Sequence, residues 1–346
     1  MTTAIEPTTI EPATIEPNRP RIAVMGGGAV GCYYGGMLAR AGADVTLIGR
    51  AQHVEVINRD GLDLDTLTFR ERVKMRASTE VADVAGADVV LFCVKSLDTE
   101  DAARALLPHL SPDALIMALQ NGVDNPQRIA AVLKNPLVPA VVYVGAAMAG
   151  PGHVRHSGRG DLVIGTMPRI GAAPEAAAVQ ALAQRLEAAG VGCRVSDNVE
   201  GDLWGKLLIN CAYNAISALG RAPYARMTAR SEIRVLMTGA VNEVLAVAGA
   251  SGVRMPPGDW VEISLKLAEV MRETTSSTAQ DLARGKKTEI DHLNGFIAQR
   301  GVQQQREQNR DAHRRRPAES KALADYRHAC RSARSDTAQP GPRASG

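Results

Sequence analysis

Aromatic side chains make up only 3% of the 346 residues, so a folded core must be assembled from Ala, Val, Leu and Ile rather than from large rings. Cysteine is equally sparse: five residues, Cys32, Cys93, Cys193, Cys211 and Cys330, with no C-x-x-C pair and no metal-ligand spacing. An odd, scattered set in a chain this long argues against a disulfide framework or a zinc site and for a reduced, cytoplasmic setting. No uninterrupted apolar run approaches the roughly 20 residues that a membrane span needs. The first residues lack a basic segment followed by an apolar one, so no secretory signal is expected. Net charge is also low, at +3. Ten of the 40 basic residues but only five of the 37 acidic ones fall in 301–346, so the rest of the chain is close to neutral. Nothing there resembles a basic nucleic-acid face.

What is present is an ordinary globular composition, 45% hydrophobic, in a chain longer than one core usually serves. Two domains are expected. Residues 1–20 repeat Ile-Glu-Pro at 5–7, 10–12 and 15–17 and cannot bury a core, so they read as an extended, disordered leader.

The most informative stretch is 21–50, RIAVMGGGAVGCYYGGMLARAGADVTLIGR. A β-branched apolar run leads into Gly26, Gly27, Gly28, Ala29, Val30 and Gly31, which fit G-x-G-x-x-G. An amphipathic helix and a second strand follow. This is the first βαβ unit of a dinucleotide-binding fold. Gly26 permits the tight turn, Gly28 lets backbone approach a pyrophosphate, and Gly31 lets helix pack on strand. The helix start then offers free N–H groups to phosphate. The second strand ends in Gly49-Arg50, with no carboxylate for a ribose 2′-OH and a guanidinium suited to a 2′-phosphate. That spacing favours NADP(H) over NAD(H), against the plainer reading of Arg50 as a solvated surface residue.

Further apolar strands are expected at 88–94, 114–119 and 137–144, a hairpin at 150–165, a helix at 173–189 and a last strand at 191–195. Lys95 and Asn121 follow two of these strands, at the carboxyl ends where α/β sheets bind ligands; the plainer readings are a solvated lysine and an Asn-Gly turn. After about 198 the patterns are helical, at 199–219, 231–250, 260–274 and 286–299. The architecture predicted is a Rossmann-type α/β domain over 21–197 followed by an all-helical domain over 198–300. In the first of those helices Lys206, Asn210 and Asn214 recur every four residues and share one face. Apolar neighbours make a polar cleft the better reading than a solvated stripe. The run 274–278, TTSST, fits a helix N-cap, and Glu289 a first-turn acid.

Four motifs in this order, GGGAVG, LQNGVDN at 119–125, LWGKLLINCAYNAISAL at 203–219 and SSTAQDLARGKKTEIDHLNG at 276–295, give the chain a resemblance to the ketopantoate reductase (2-dehydropantoate 2-reductase) family over about 21–300. That resemblance implies a cytoplasmic enzyme of pantothenate biosynthesis that reduces a 2-oxo acid with NADPH. The glycine loop would hold the pyrophosphate and Arg50 the 2′-phosphate. Lys95 and Asn121 would line the cofactor cleft, Asn121 also reaching substrate. Lys206 would donate the proton; Asn210, Asn214 and Ser277 would bind substrate; Glu289 would contact the nicotinamide ribose and orient Lys206. The implied partner is a small 2-oxo acid, with no membrane, nucleic acid or metal, and with homodimerisation left open. Alternatives are a reductase of another small 2-oxo acid and a catalytically impaired NADP-binding paralogue.

Two stretches depart from the family pattern. Residues 221–224, RAPY, place Tyr224 near where the family often carries another Asn, which leaves the exact acid open. Residues 301–346 read as an unrelated or out-of-frame tail, with a basic arm for an acidic partner as the alternative. That tail is expected to be disordered, leaving the helical domain without a last packing helix.

Overall fold

The computed structural model describes residues 20–167 and 169–312. The leader up to residue 19 and the tail beyond 312 lie outside the described residues.

The first half alternates strand and helix: β1 (Arg21–Met25), α1 (Ala29–Arg40), β2 (Asp44–Ile48), α2 (Ala51–Asp60), β3 (Leu62–Asp65), β4 (Arg70–Val73), β5 (Arg76–Ser78), β6 (Val89–Phe92), α3 (Thr99–Leu106), β7 (Leu115–Ala118), α4 (Asn125–Val132), β8 (Leu137–Gly150), β9 (His153–Gly165), α5 (Ala176–Ala188) and β10 (Cys193–Ser196). Six helices follow: α6 (Val199–Gly220), α7 (Tyr224–Thr228), α8 (Ser231–Ala250), α9 (Trp260–Val270), α10 (Ser277–Ala283) and α11 (Asn294–Ala312). The α/β half and the helical half both match the sequence expectation.

Strands β5-β2-β1-β6-β7-β8 run parallel and adjacent, and the antiparallel β8–β9 hairpin carries the sheet on to β3 and β4. The chain moves outward from β1 through β2, then returns to lay β6 on the other side of β1, which is the switch point of a doubly wound sheet. The loops after β1, β2, β6 and β7 therefore open at one edge.

Burial follows the two-residue strand period. Ala23 and Met25 of β1 face a core shared with α3, α4 and the helical half, whereas Ile22 and Val24 face the core under α1 and α5. The first of these cores runs without a break from Phe92 and Ala118 into Trp204, Leu207 and Leu208 of α6. Helix α6 thus packs directly on the sheet, which fixes its polar stripe against the strand ends.

Two expectations need correction. No helix spans 286–299: α10 ends at Ala283, Gly285 just beyond its C-cap takes the left-handed φ of +64°, and Lys286 N–H closes the turn on Asp281 O at 2.8 Å. A single turn at Ile290–His292 then precedes α11. The helix also does not stop near 300 but continues to Ala312, so 301–312 are helical rather than disordered. Its polar composition hid this, because Gln304 is buried by hydrogen bonding rather than by apolar packing, its amide donating to Val247 O (3.2 Å) and Ser251 Oγ (2.7 Å). By length and composition α8 could cross a membrane, but Glu232, Arg234 and Glu243 interrupt its apolar run. Its buried face, from Met237 to Ala248, instead packs in the helical core.

Candidate active site

The glycine loop closes the amino end of α1. Gly26 N–H and Gly27 N–H both donate to Ile48 O, at 3.1 and 2.9 Å, drawing the loop over the end of β2. Gly26 has φ +116°, and a Cβ there would meet the backbone after β6 at 2.8 Å. A Cβ on Gly31 would lie 2.1 Å from Gly26 O, so this position admits no side chain. Gly28 differs: nothing lies within 4 Å of its virtual Cβ. It is the N-cap of α1, with no side-chain cap and no acid in the first turn. The cradle is open space facing uncapped N–H groups, which fits a pyrophosphate.

Arg50 is exposed at the end of β2, where it begins α2. Beside it stands His53, whose imidazole is pushed below its usual value by burial and by Arg50 and Lys286. Lys286, from the loop after α10, thus brings a second cation to this corner. Sequence reasoning passed over it because the contact crosses between the two halves.

Lys95 follows β6 and is exposed but ion-paired. Its Nζ lies 2.7 Å from Asp281 Oδ2 on α10 and 3.7 Å from Glu289 Oε2. Glu289 is buried and accepts a 2.8 Å hydrogen bond from Ser96 N–H. The strand end after β6 is thus clasped by two carboxylates from the helical half. Asp281 was missed: only the Gln-Asp inside the fourth motif hinted at it.

Lys206 is half-buried on α6. Its Nζ donates to Asn121 Oδ1 at 2.8 Å and to Val142 O on β8, and stands 5.9 Å from the Tyr143 ring centroid. Burial pulls its ammonium down to about 8; Glu289 opposes that shift and Arg159 adds to it.

One and two turns further along α6 are Asn210, half-buried, and Asn214, 2% exposed. The Asn214 Nδ2 is buried without a hydrogen-bond partner among the described residues, a condition native structures rarely leave unless a ligand or water completes it. Of the two neighbouring serines, Ser276 is the buried N-cap of α10, accepting from Ala279 N–H at 3.1 Å and donating to Asn214 O at 3.2 Å. Ser277 is exposed beside it. Tyr224 is buried, its ring 4.3 Å from that of Tyr213.

Lys206, Asn121, Lys95 and Glu289 are therefore gathered in one cluster where α6 meets β8 and the loops after β6 and β7, with Ser96 bonded to both Asn121 and Glu289. Arg50 and the glycine loop continue it along the strand ends. Two surface cavities of about 380 and 390 Å³ lie elsewhere, one beside Arg234 and Glu262 and the other beside Arg21 and Arg76, and hold none of these residues.

The profile of the ketopantoate reductase PanE/ApbA family matches residues 22–169, and that of its C-terminal part matches 198–309. The chain belongs to the ketopantoate reductase PanE/ApbA family. It is 31% identical over 277 residues to the 2-dehydropantoate 2-reductase of Pyrococcus horikoshii, covering 80% of this chain and 89% of that one. The Halobacterium salinarum 2-dehydropantoate 2-reductase is 34% identical over 287 residues, covering 81% and 91%. Among solved structures, a PanE/ApbA family ketopantoate reductase from Ralstonia eutropha JMP134 superposes with a TM-score of 0.79 at 46% identity, over 92% of this chain and all of that one. Family membership implies a nicotinamide dinucleotide cofactor.

Proposed function

We propose that the chain reduces 2-dehydropantoate to pantoate with NADPH. The observation that carries this reading is the Lys206 ammonium, drawn down to about 8 and hydrogen-bonded to Asn121 at the carboxyl edge of the sheet. NADPH, when bound, supplies the hydride that adds to the C2 carbonyl carbon.

The chain's own residues do the rest. Negative charge builds on the C2 oxygen during hydride addition, and Lys206 is the cation that stabilises it and then gives up a proton from Nζ. A donor with a pKa near the working pH is charged before the step and able to release its proton during it. Asn121 Oδ1 and Val142 O fix the direction of Nζ. Asn210 and Asn214, on the same face of α6, hold the polar groups of the acid; the unpartnered Asn214 amide is a ready donor to a carboxylate or hydroxyl oxygen. Ser277 stands at the rim. The glycine cradle holds the pyrophosphate, Arg50 and Lys286 the 2′-phosphate, and Glu289 the nicotinamide ribose. Lys95 keeps Glu289 and Asp281 in place.

A second reading, another small branched 2-oxo acid, rests on Tyr224, which packs on Tyr213 where the family pattern often offers an amide. A panel of 2-oxo acids assayed with NADPH decides between them. The proposal expects 2-dehydropantoate to have the highest kcat/KM; a higher value for another branched acid would replace the substrate, and no turnover of any would remove the reductase assignment.

A further inference from the structure

Behind the cleft lies a buried polar network that the reaction itself does not touch, and Arg128 of α4 is its junction. All five guanidinium N–H groups are engaged. Nε and one Nη2 hydrogen go to the two Glu100 oxygens, both at 2.6 Å; the second Nη2 hydrogen goes to Ser96 O at 2.7 Å. Nη1 reaches Asn125 Oδ1 and His292 Nδ1, each at 3.1 Å. A guanidinium so saturated has no donor left for a substrate carboxylate. Its acceptors, however, come from three separate segments, and each segment carries a cleft residue.

Ser96 offers its own N–H to Glu289 at 2.8 Å. Asn125, 1% exposed, passes the restraint on by donating from Nδ2 to Asn121 O at 2.6 Å and to Ser96 Oγ at 3.1 Å, while Ser96 Oγ also donates to Asn121 O at 3.2 Å. Asn121 is the residue whose Oδ1 holds Lys206. His292 sits three residues after Glu289, in the turn from the helical half. One side chain therefore ties the loop after β6, the loop after β7 and the Glu289 turn to one another.

We propose that Arg128 is a positioning residue for the Lys206 proton donor, acting through Asn125 and Asn121 on one side and through Ser96 and His292 on Glu289 on the other. Lysine cannot replace it, because a point charge on a flexible stem cannot bond five acceptors in a planar fork. The inference rests on the reductase reading, with Lys206 as donor. The charged and titratable groups that face Lys206 are Glu289, from the turn after α10, and Arg159 and Tyr143, from the β8–β9 hairpin. Glu289 is itself held through Ser96 and His292, so loosening Arg128 weakens both its support and that of Asn121, and each loss lowers the Lys206 titration in the same direction.

The test uses the full chain and three proteins: wild type, Arg128→Lys and His292→Ala. Two readouts are taken against pH, kcat for 2-dehydropantoate and the rate of Lys206 reductive methylation followed by mass spectrometry. Loss of the Asn121 acceptor removes a bond to the charged ammonium, so its pKa falls further. Arg128→Lys is expected to lower kcat about tenfold with NADPH affinity little changed, and to bring both the alkaline loss of kcat and the rise in Lys206 labelling to lower pH. His292→Ala, which removes one acceptor of five at a half-buried site, is expected to move both in the same direction by less. A merely structural role lowers activity at every pH and leaves the labelling curve in place; that result overturns the proposal. If Arg128→Lys does not fold, His292→Ala alone decides by the same criterion. Wild-type turnover with unmoved variant curves defeats this inference alone, whereas a wild type that turns over no 2-oxo acid defeats the reading beneath it.

Discussion

Lys206 and Asn121 are 85 residues apart in sequence, yet Nζ and Oδ1 meet at 2.8 Å. The contact joins the first helix of the helical half to the loop after β7, so the proposed proton donor is in place only when both halves are. A donor held by an amide oxygen and a carbonyl, with no carboxylate in direct contact, keeps a lowered pKa. That lowered value is what suits Lys206 to the role proposed for it.

Lys206→Ala is expected to reduce kcat by roughly 10²–10⁴-fold, the usual range for loss of a positioned general acid. NADPH affinity, measured by fluorescence titration, should stay within about twofold. Equal losses in both would place Lys206 in cofactor binding instead.

The pH dependence follows from the sign of the shift. Reduction needs the ammonium, so kcat should be level below about pH 8 and fall above it. Oxidation of pantoate needs the free amine and should rise through the same pH. Stability carries the opposite cost. The folded-state value, about 8, lies below the ordinary 10.5, so between these pH values the unfolded chain binds more protons. The destabilisation by Lys206 is thus full below pH 8 and relieved as pH rises toward 10.5. Lys206→Met should raise the melting temperature at pH 7 while abolishing turnover; a lowered melting temperature would show that the burial penalty is absent.

Gly28 and Gly31 should fail in different ways. Gly31→Ala places a methyl 2.1 Å from Gly26 O and should cost the fold several degrees of melting temperature or more. Gly28→Ala meets nothing within 4 Å in the protein and has φ −86°, so its melting temperature should be unchanged while NADPH affinity collapses. Retained affinity in Gly28→Ala would mean that the pyrophosphate lies elsewhere.

The adjacent serines separate in the same fashion. Ser276→Ala removes the cap of α10 and a bond to Asn214 O, and should cost about 1–2 kcal/mol in urea denaturation. Ser277→Ala, at an exposed position, should leave stability alone and raise KM. A stability loss at 277 with none at 276 would reverse these roles.

Much of this was legible in the sequence because it is local. The glycine loop, the β1–α1–β2 unit and the Lys206-Asn210-Asn214 stripe each depend on a spacing of a few residues, and the structure places all of them as that spacing requires. What was not legible depends on partners far along the chain. Lys95 could be placed at a strand end, but its pairing with Asp281, 186 residues away, could not be read, and Arg128 showed nothing at all because its acceptors come from three segments. The end of α11 was misread for a related reason: Gln304 is buried by bonds to α8 that composition does not display. Ser276 and Ser277 could not be told apart until the turn showed which hydroxyl closes the helix.

The proposed preference for NADPH rests on Arg50 and Lys286. Arg50→Ala should weaken NADPH about tenfold to a hundredfold, the worth of one charge-assisted bond pair to phosphate, and leave NADH nearly unchanged. Equal weakening of both would assign Arg50 to the adenosine rather than to the 2′-phosphate.

The most direct measurement is the initial rate of NADPH oxidation by the full chain with 2-dehydropantoate, NADH serving as the control. The account predicts turnover with NADPH, at a kcat/KM well above that with NADH, and pantoate as the product. NADPH left unconsumed by a folded chain whose melting temperature rises with NADPH would contradict it: the cradle would bind the cofactor and Lys206 would not be reducing this acid.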